Sequence, residues 1–129
     1  MAKTQTQSDR TRAEKGKRNL IRADLSWQKL SGANLTRANL RGANLSHADL
    51  AAANLSESNL NGANLTGTKL TNVKFDHAVL ANTDFTKADL TGAQFRSVDL
   101  SRAKNLTQAQ LKTARIDSGT TKLPPRMSV

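Results

Sequence analysis

The chain has no cysteine, one tryptophan, three phenylalanines and two prolines in 129 residues. Without cysteine there is no disulfide, no thiolate nucleophile and no Cys-ligated metal. So few aromatics would make a thin core for a conventional globular domain of this length, although the length itself fits a single domain. No stretch approaches eighteen consecutive apolar residues, so no membrane span is expected. Residues 1–19 contain nothing resembling the apolar centre of a secretory signal, which makes the cytoplasm the expected location. The middle of the chain also lacks an excess of charge of either sign. The formal net charge is +10, yet residues 31–100 hold six basic and six acidic residues. Residues 1–30 carry eight basic against three acidic, and residues 101–129 six against one, so each end has a net charge of +5.

What the sequence does have is a period of five. Leucine or phenylalanine occupies every fifth position from Leu20 to Leu100, seventeen times without interruption. Two residues earlier a small residue usually stands, most often alanine, as in "LSGANLTRANLRGANLSHADL". On an α-helix this spacing would scatter the leucines around the axis and leave no apolar stripe. On a strand an odd period sends successive leucines to opposite faces. The remaining solution turns the chain after every unit so that each Leu points inward. The result is a solenoid with one short side per five residues, whose units bury their leucines against one another. Asn and Asp beside the Leu suit a chain that bends repeatedly.

The unit Ala-(Asn/Asp)-Leu-x-x, over residues 18–103, resembles the pentapeptide-repeat family. The resemblance implies an all-β solenoid, a right-handed quadrilateral β-helix with four units per coil, hence a little over four coils and a stack roughly 20 Å tall. Residues twenty apart then stack, so Phe75 lies beneath Phe95 and Phe85 above Leu65. The core is expected to contain Leu25, Leu45, Leu65, Phe75, Phe85 and Phe95. Each large side chain contributes about 1.5–3 kcal/mol gross before chain entropy is subtracted. No Leu/Phe position carries a charge.

The ends read differently. Residues 1–17 are polar and aperiodic and are expected to form a disordered basic tail, with Ala13 the only apolar residue a transient helix could bury. After residue 103 the register breaks. "LTQAQL" predicts a capping helix over about 108–114, with Thr107 as N-cap, Gln110 as its reciprocal partner and Leu106 and Leu111 as a staple. Within the cap, residues 104–117, "NLTQAQLKTARID" also resembles the C-terminal caps of cyanobacterial family members. Residues 118–129 are expected to be extended and flexible because Pro124 and Pro125 forbid helix. No equivalent cap is evident at the N-terminal end, so the first coil is the expected surface for a homodimer or another partner. Trp27 and Ile21 lie at its rim, and Arg10, Arg12, Lys15, Lys17, Arg18 and Arg22 supply positive charge. Trp27 could equally fold over the coil edge as an improvised cap.

Reading outward residues by twenties gives a ladder Lys29, Asp49, Lys69, Asp89 of alternating sign, expected to support adjacent coils. It gives another through Trp27, His47, Gly67 and Lys87, and a third through Arg37, Glu57, His77 and Ser97. His47 and His77 fall on opposite sides and cannot share a metal. No Ser-His-Asp grouping, phosphate loop or paired carboxylate emerges, so neither an enzyme nor a cofactor is expected. The expected function is a non-enzymatic protein-interaction or scaffold module whose protein partner the sequence does not identify. The alternative is binding of nucleic acid or an anionic surface through the basic ends. A third role known in the family, mimicry of DNA to inhibit type II topoisomerases such as gyrase, goes with longer, acidic rods and fits this neutral body poorly.

Overall fold

A computed structural model describes residues 4–16 and 18–128. The coil turns at the second residue after each Leu or Phe. From Arg22 to Ser97 this residue has φ between 55° and 73°. The residue after that usually donates its N–H to the Leu or Phe carbonyl, as Ala23 does to Leu20 at 3.0 Å and Ala63 to Leu60 at 2.9 Å. This is a type II turn, which requires positive φ at its third residue. Most of these positions are not glycine, at a cost of roughly 1–2 kcal/mol each. Hydrogen bonding by the Asn or Asp before the Leu offsets that cost locally. Its Oδ1 accepts the N–H two residues on, as at Asn34–Thr36 (3.2 Å), Asn44–Ser46 (3.0 Å) and Asp84–Thr86 (2.9 Å). The recurrent Ser or Thr after the Leu has the same purpose, since its hydroxyl donates to that Oδ1 at 2.6–2.7 Å in these units. Asn and Asp therefore do more than tolerate the bend; they hold it.

Successive coils pair in parallel at intervals of twenty residues. One side runs through Asn19, Asn39, Asn59 and Val79, and the next through Asp24, Asn44, Asn64, Asp84 and Lys104. The third runs through Lys29, Asp49, Lys69 and Asp89, and the fourth through Asn34, Asn54, Lys74 and Gln94. Each side contributes a single bridge, so the coil is four-sided and contains little regular strand. The only longer pairing among the described residues joins β1 (Gln94–Phe95) to β2 (Arg115–Ile116) in parallel. No bridge joins Val79 to Asp99. The preceding corner departs from the usual turn, and Ser97 N donates to Thr120 Oγ1 at 3.0 Å.

Every Leu and Phe of the five-residue register is buried, including Leu25, Leu45, Leu65, Phe75, Phe85 and Phe95. Phe75 and Phe95 stack with centroids 5.1 Å apart, and Phe85 meets Phe75 edge-on at 6.3 Å. Polar residues at the small position are satisfied inside the core. The Ser58 hydroxyl donates to Leu55 O at 2.6 Å, and those of Thr68 and Thr83 to Leu45 O and Leu60 O at 2.7 Å.

Both termini differ from their expected states. Residues 1–17 read as a disordered tail, but a helix, α1 (Gln5–Glu14), lies against the first coil. Its N-terminus is a capping box, with Gln7 N donating to Thr4 Oγ1 and Thr4 N to Gln7 Oε1. The segment orders because Ala13 joins the core and Asp9, 1% exposed, accepts a hydrogen bond from the coil. At the other end α2 (Gln108–Thr113) starts at Thr107, whose side chain accepts from Gln110 N while Gln110 Oε1 accepts from Thr107 N. Leu106 and Leu111 are both buried. The segment from 118 is not a loose tail either. Lys122 bridges Asp99, Thr121 Oγ1 donates to Phe95 O at 2.9 Å, and Pro124 is buried. The last coil leaves backbone groups of Phe95, Val98 and Leu100 at its edge, and this segment pairs with them.

Candidate interaction surface

The interior is filled by side chains, so any interaction must use the corners, sides or ends. Trp27 is 71% exposed at a corner of the first coil. It does not fold over the coil edge as a cap. It stacks on His47 of the next coil, with centroids 4.3 Å apart and planes inclined by 18°. His47 in turn lies over Gly67, where an added Cβ would fall 2.5 Å from Nδ1. Glycine at 67 thus supplies both a φ of +63° and the space under the imidazole ring. The groups beneath Trp27 fix its plane, which lowers the entropy it would lose on meeting a partner. The neighbouring Gln28 donates from Nε2 to Ser26 O at 3.1 Å.

The basic residues at this end separate into two groups. Arg10 pairs with Glu14 at 2.8 Å, and Arg12 with the buried Asp9 at 3.2 Å; Arg12 also donates to Asn19 O. Lys15, Arg18 and Arg22 face solvent, with Arg18 Nη1 donating to Gly16 O at 3.1 Å. Lys17 lies outside the described residues. Ile21, 44% exposed, sits with Arg22 and Arg41 around a shallow depression.

Sequence reasoning missed the anchor of α1. Asp9 Oδ2 accepts from the backbone N–H of Asp24 at 2.7 Å, and Gln5 Nε2 donates to both Asp9 oxygens at 2.8 Å. The Thr6 hydroxyl donates to Asp24 Oδ2 at 2.6 Å. The only advance signal was Thr4 followed three residues later by Gln7, a capping-box spacing without the apolar run that usually accompanies it.

The Lys29–Asp49–Lys69–Asp89 ladder is in backbone register, but no salt bridge joins its members among the described residues. The carboxylates are committed to their turns instead, Asp49 Oδ1 accepting from Ala51 N at 3.0 Å and Asp89 Oδ1 from the Thr91 hydroxyl at 2.8 Å. Arg37 and Glu57, on another of the ladders, do meet, at 2.9 Å. Hydroxyl donors hold four carboxyls below the ordinary carboxylate value: chiefly Thr6 for Asp24, Thr86 for Asp84, Thr91 for Asp89 and Ser101 for Asp99. Such groups are hydrogen-bond acceptors, the opposite of the raised carboxyls that serve as general acids. Among the described residues no three His, Asp or Glu side chains gather as a metal site, and no helix is long and apolar enough to cross a membrane.

The geometry can be set beside known proteins. A family model described as pentapeptide repeats matches in eight copies, over residues 19–56, 48–86, 63–102 and 75–116. No functionally curated protein matches the chain. Among solved structures, a pentapeptide repeat protein of the Arabidopsis thaliana thylakoid lumen is similar, with a TM-score of 0.60 and 25% identity over 79% of this chain and 81% of that one. HetL, a pentapeptide repeat protein involved in heterocyst differentiation regulation in the cyanobacterium Nostoc sp. strain PCC 7120, gives a TM-score of 0.37 at 25% identity. That alignment covers 82% of this chain and 60% of HetL. A second Nostoc pentapeptide repeat protein gives 0.36 at 22% identity, over 86% and 94%. The five-residue register, the four-sided parallel coil and the family-model match lead to one conclusion: the chain belongs to the pentapeptide-repeat family, whose members form right-handed quadrilateral β-helices.

Proposed function

We propose that the chain is a non-enzymatic protein-interaction module, a rigid right-handed prism that presents its N-terminal corner and rim to a protein partner. The observation that carries this reading is Trp27. Among the described residues it is the most exposed large apolar side chain, yet it is held in place by stacking on His47. A large aromatic with little freedom left to lose is the kind of residue that anchors interfaces. The neutral body supports no steering of a polyanion along its sides. Two of the arginines that would make the N-terminal end a clamp for phosphates, Arg10 and Arg12, are engaged with Glu14 and Asp9.

The test is affinity capture on the immobilised full chain, with nuclease treatment, beside the Trp27→Ala variant. Protein clients that survive nuclease and are lost from the variant support the module. Clients that vanish with nuclease, or binding that falls steeply with salt, would replace it with the nucleic-acid reading.

A further inference from the structure

The first coil ends in a parallel edge with four sides, and α1 closes two of them. On the Asn19 side Arg12 donates to Asn19 O, and on the Asp24 side Asp9 Oδ2 accepts from Asp24 N at 2.7 Å. Inside the stack this kind of amide donates to a carbonyl of the coil before it, as Asn44 N does to Ala23 O at 2.9 Å. A carboxylate of the cap thus replaces the carbonyl of an absent coil.

Among the described residues the other two sides have no such cover. One coil further in, Asp49 N donates to Gln28 O and Asn54 N to Ala33 O, both at 2.9 Å. The carbonyls of Asp49, Ala51 and Asn54 accept from Leu30, Gly32 and Leu35 at 2.7–2.8 Å. The matching groups of the first coil are the amides of Lys29 and Asn34 and the carbonyls of Lys29, Ser31 and Asn34. None has a hydrogen-bond partner among the described residues. Lys29, Ser31 and Asn34 are exposed, and Ala33 is partly exposed where the alanines of later coils at its register position are buried. Here the rim opens as a depression of about 420 Å³, bordered by Lys15, Arg18 and Lys29. Its single acid, Glu14, is already paired with Arg10.

We propose that an extended acidic segment of a partner protein closes this half of the rim, its carboxylates or carbonyls accepting from Lys29 N and Asn34 N as Asp9 accepts from Asp24 N. The inference rests on the interaction-module reading and adds the chemistry of the partner. A peptide fits better than a polynucleotide because the edge presents both donors and acceptors. Peptide backbone answers both, whereas phosphate oxygens only accept. A second copy of this chain is disfavoured by charge. Residues 1–30 and 101–129 each carry a net +5, so stacking either end on this rim brings like charge together. The three bordering cations favour a run of Asp or Glu.

The experiment follows backbone amides of the ¹⁵N-labelled full chain by NMR. A short capped peptide alternating Asp and Val is added, and separately the same peptide with Lys for Asp, or a short DNA duplex. The acidic peptide is expected to shift the Lys29 and Asn34 amides and slow their hydrogen exchange, leaving those of Lys69 and Lys74 as protected as before. The charge-reversed peptide should do neither. Arg18→Glu combined with Lys29→Glu should weaken the effect at least about tenfold, while unchanged protection at Lys69 and Lys74 shows that the fold is intact. An acidic peptide that leaves both rim amides unmoved overturns the proposal. So does a variant that binds as well as the natural chain, or a duplex that protects the same amides equally. Affinity capture separates the two readings: clients held equally by the natural chain and the double variant would keep the module and remove the rim as its docking edge.

Discussion

At the C-terminal end, Leu106 and Leu111 are buried and α2 lies across the last coil, with Gln110 Nε2 donating to Phe85 O at 2.8 Å and Ala88 O at 3.0 Å. At the N-terminal end α1 contributes one buried apolar residue, Ala13, and is fastened through the carboxylate of Asp9. The first closure is chiefly hydrophobic and the second chiefly polar, although both helices begin with a capping box. The chain continues beyond α2 as β2 and Lys122 and pairs with the last coil, whereas α1 covers only half of the opposite rim. Burial of leucine is non-directional and tolerates small displacements. A buried carboxylate requires its donors in place, and its anchorage fails if one of them moves. An apolar cap can therefore cover an end broadly, while a polar cap closes only the groups its few atoms reach.

Four measurements would sharpen or break this contrast. The body sets its upper limit: Leu65→Lys should abolish folding, because a charge enters a column of Leu25, Leu45 and Phe85 with no partner. Far-UV circular dichroism checks this, and a stable variant would show the inward register to be misassigned. Next, Leu111→Ala should cost about 2–5 kcal/mol in denaturant unfolding. Asp9→Ala should cost less, about 1–3 kcal/mol, by stranding Asp24 N and freeing Arg12. Its signature is local, with faster hydrogen exchange at Asp24 and faster proteolysis within α1. If Asp9→Ala proves as costly as Leu111→Ala, the polar closure is as strong as the apolar one and the contrast fails.

The smallest effect is a pH dependence. The Thr6 hydroxyl, followed by Ser26, holds the Asp24 carboxyl below its ordinary value of 3.8. A carboxyl with a depressed folded-state pKa adds stability above its unfolded pKa and loses it as pH falls through the folded value. Thr6→Val removes the largest cause. Between about pH 5 and about pH 2 the melting temperature of the natural chain should therefore fall further than that of the variant. Equal slopes would detach Asp24 from the cap.

Much of this was legible in the residues. The seventeenfold register placed every buried Leu and Phe from Leu20 to Leu100, since a side chain that must be buried once per unit leaves a periodic trace. Thr107, Gln110 and Leu111 announced α2 because a capping box and an apolar anchor stand together. At α1 the box was present without the apolar partner, so the segment resembled a tail. Nothing in the sequence links Asp9 to Asp24, fifteen residues away. The alternating ladder misled for a related reason: sequence gives the register of Lys29 and Asp49 but not the competing turn amides that occupy the carboxylates.

The sequence by itself determined the period and the inward face, because apolar burial and turn chemistry act within a unit and repeat; the four sides were implied by the family resemblance. Only the tertiary structure decided how each end closes, which cations remain exposed, and that Trp27 lies flat on His47. Those outcomes depend on single polar atoms meeting across distant parts of the chain, and such meetings leave no periodicity to read.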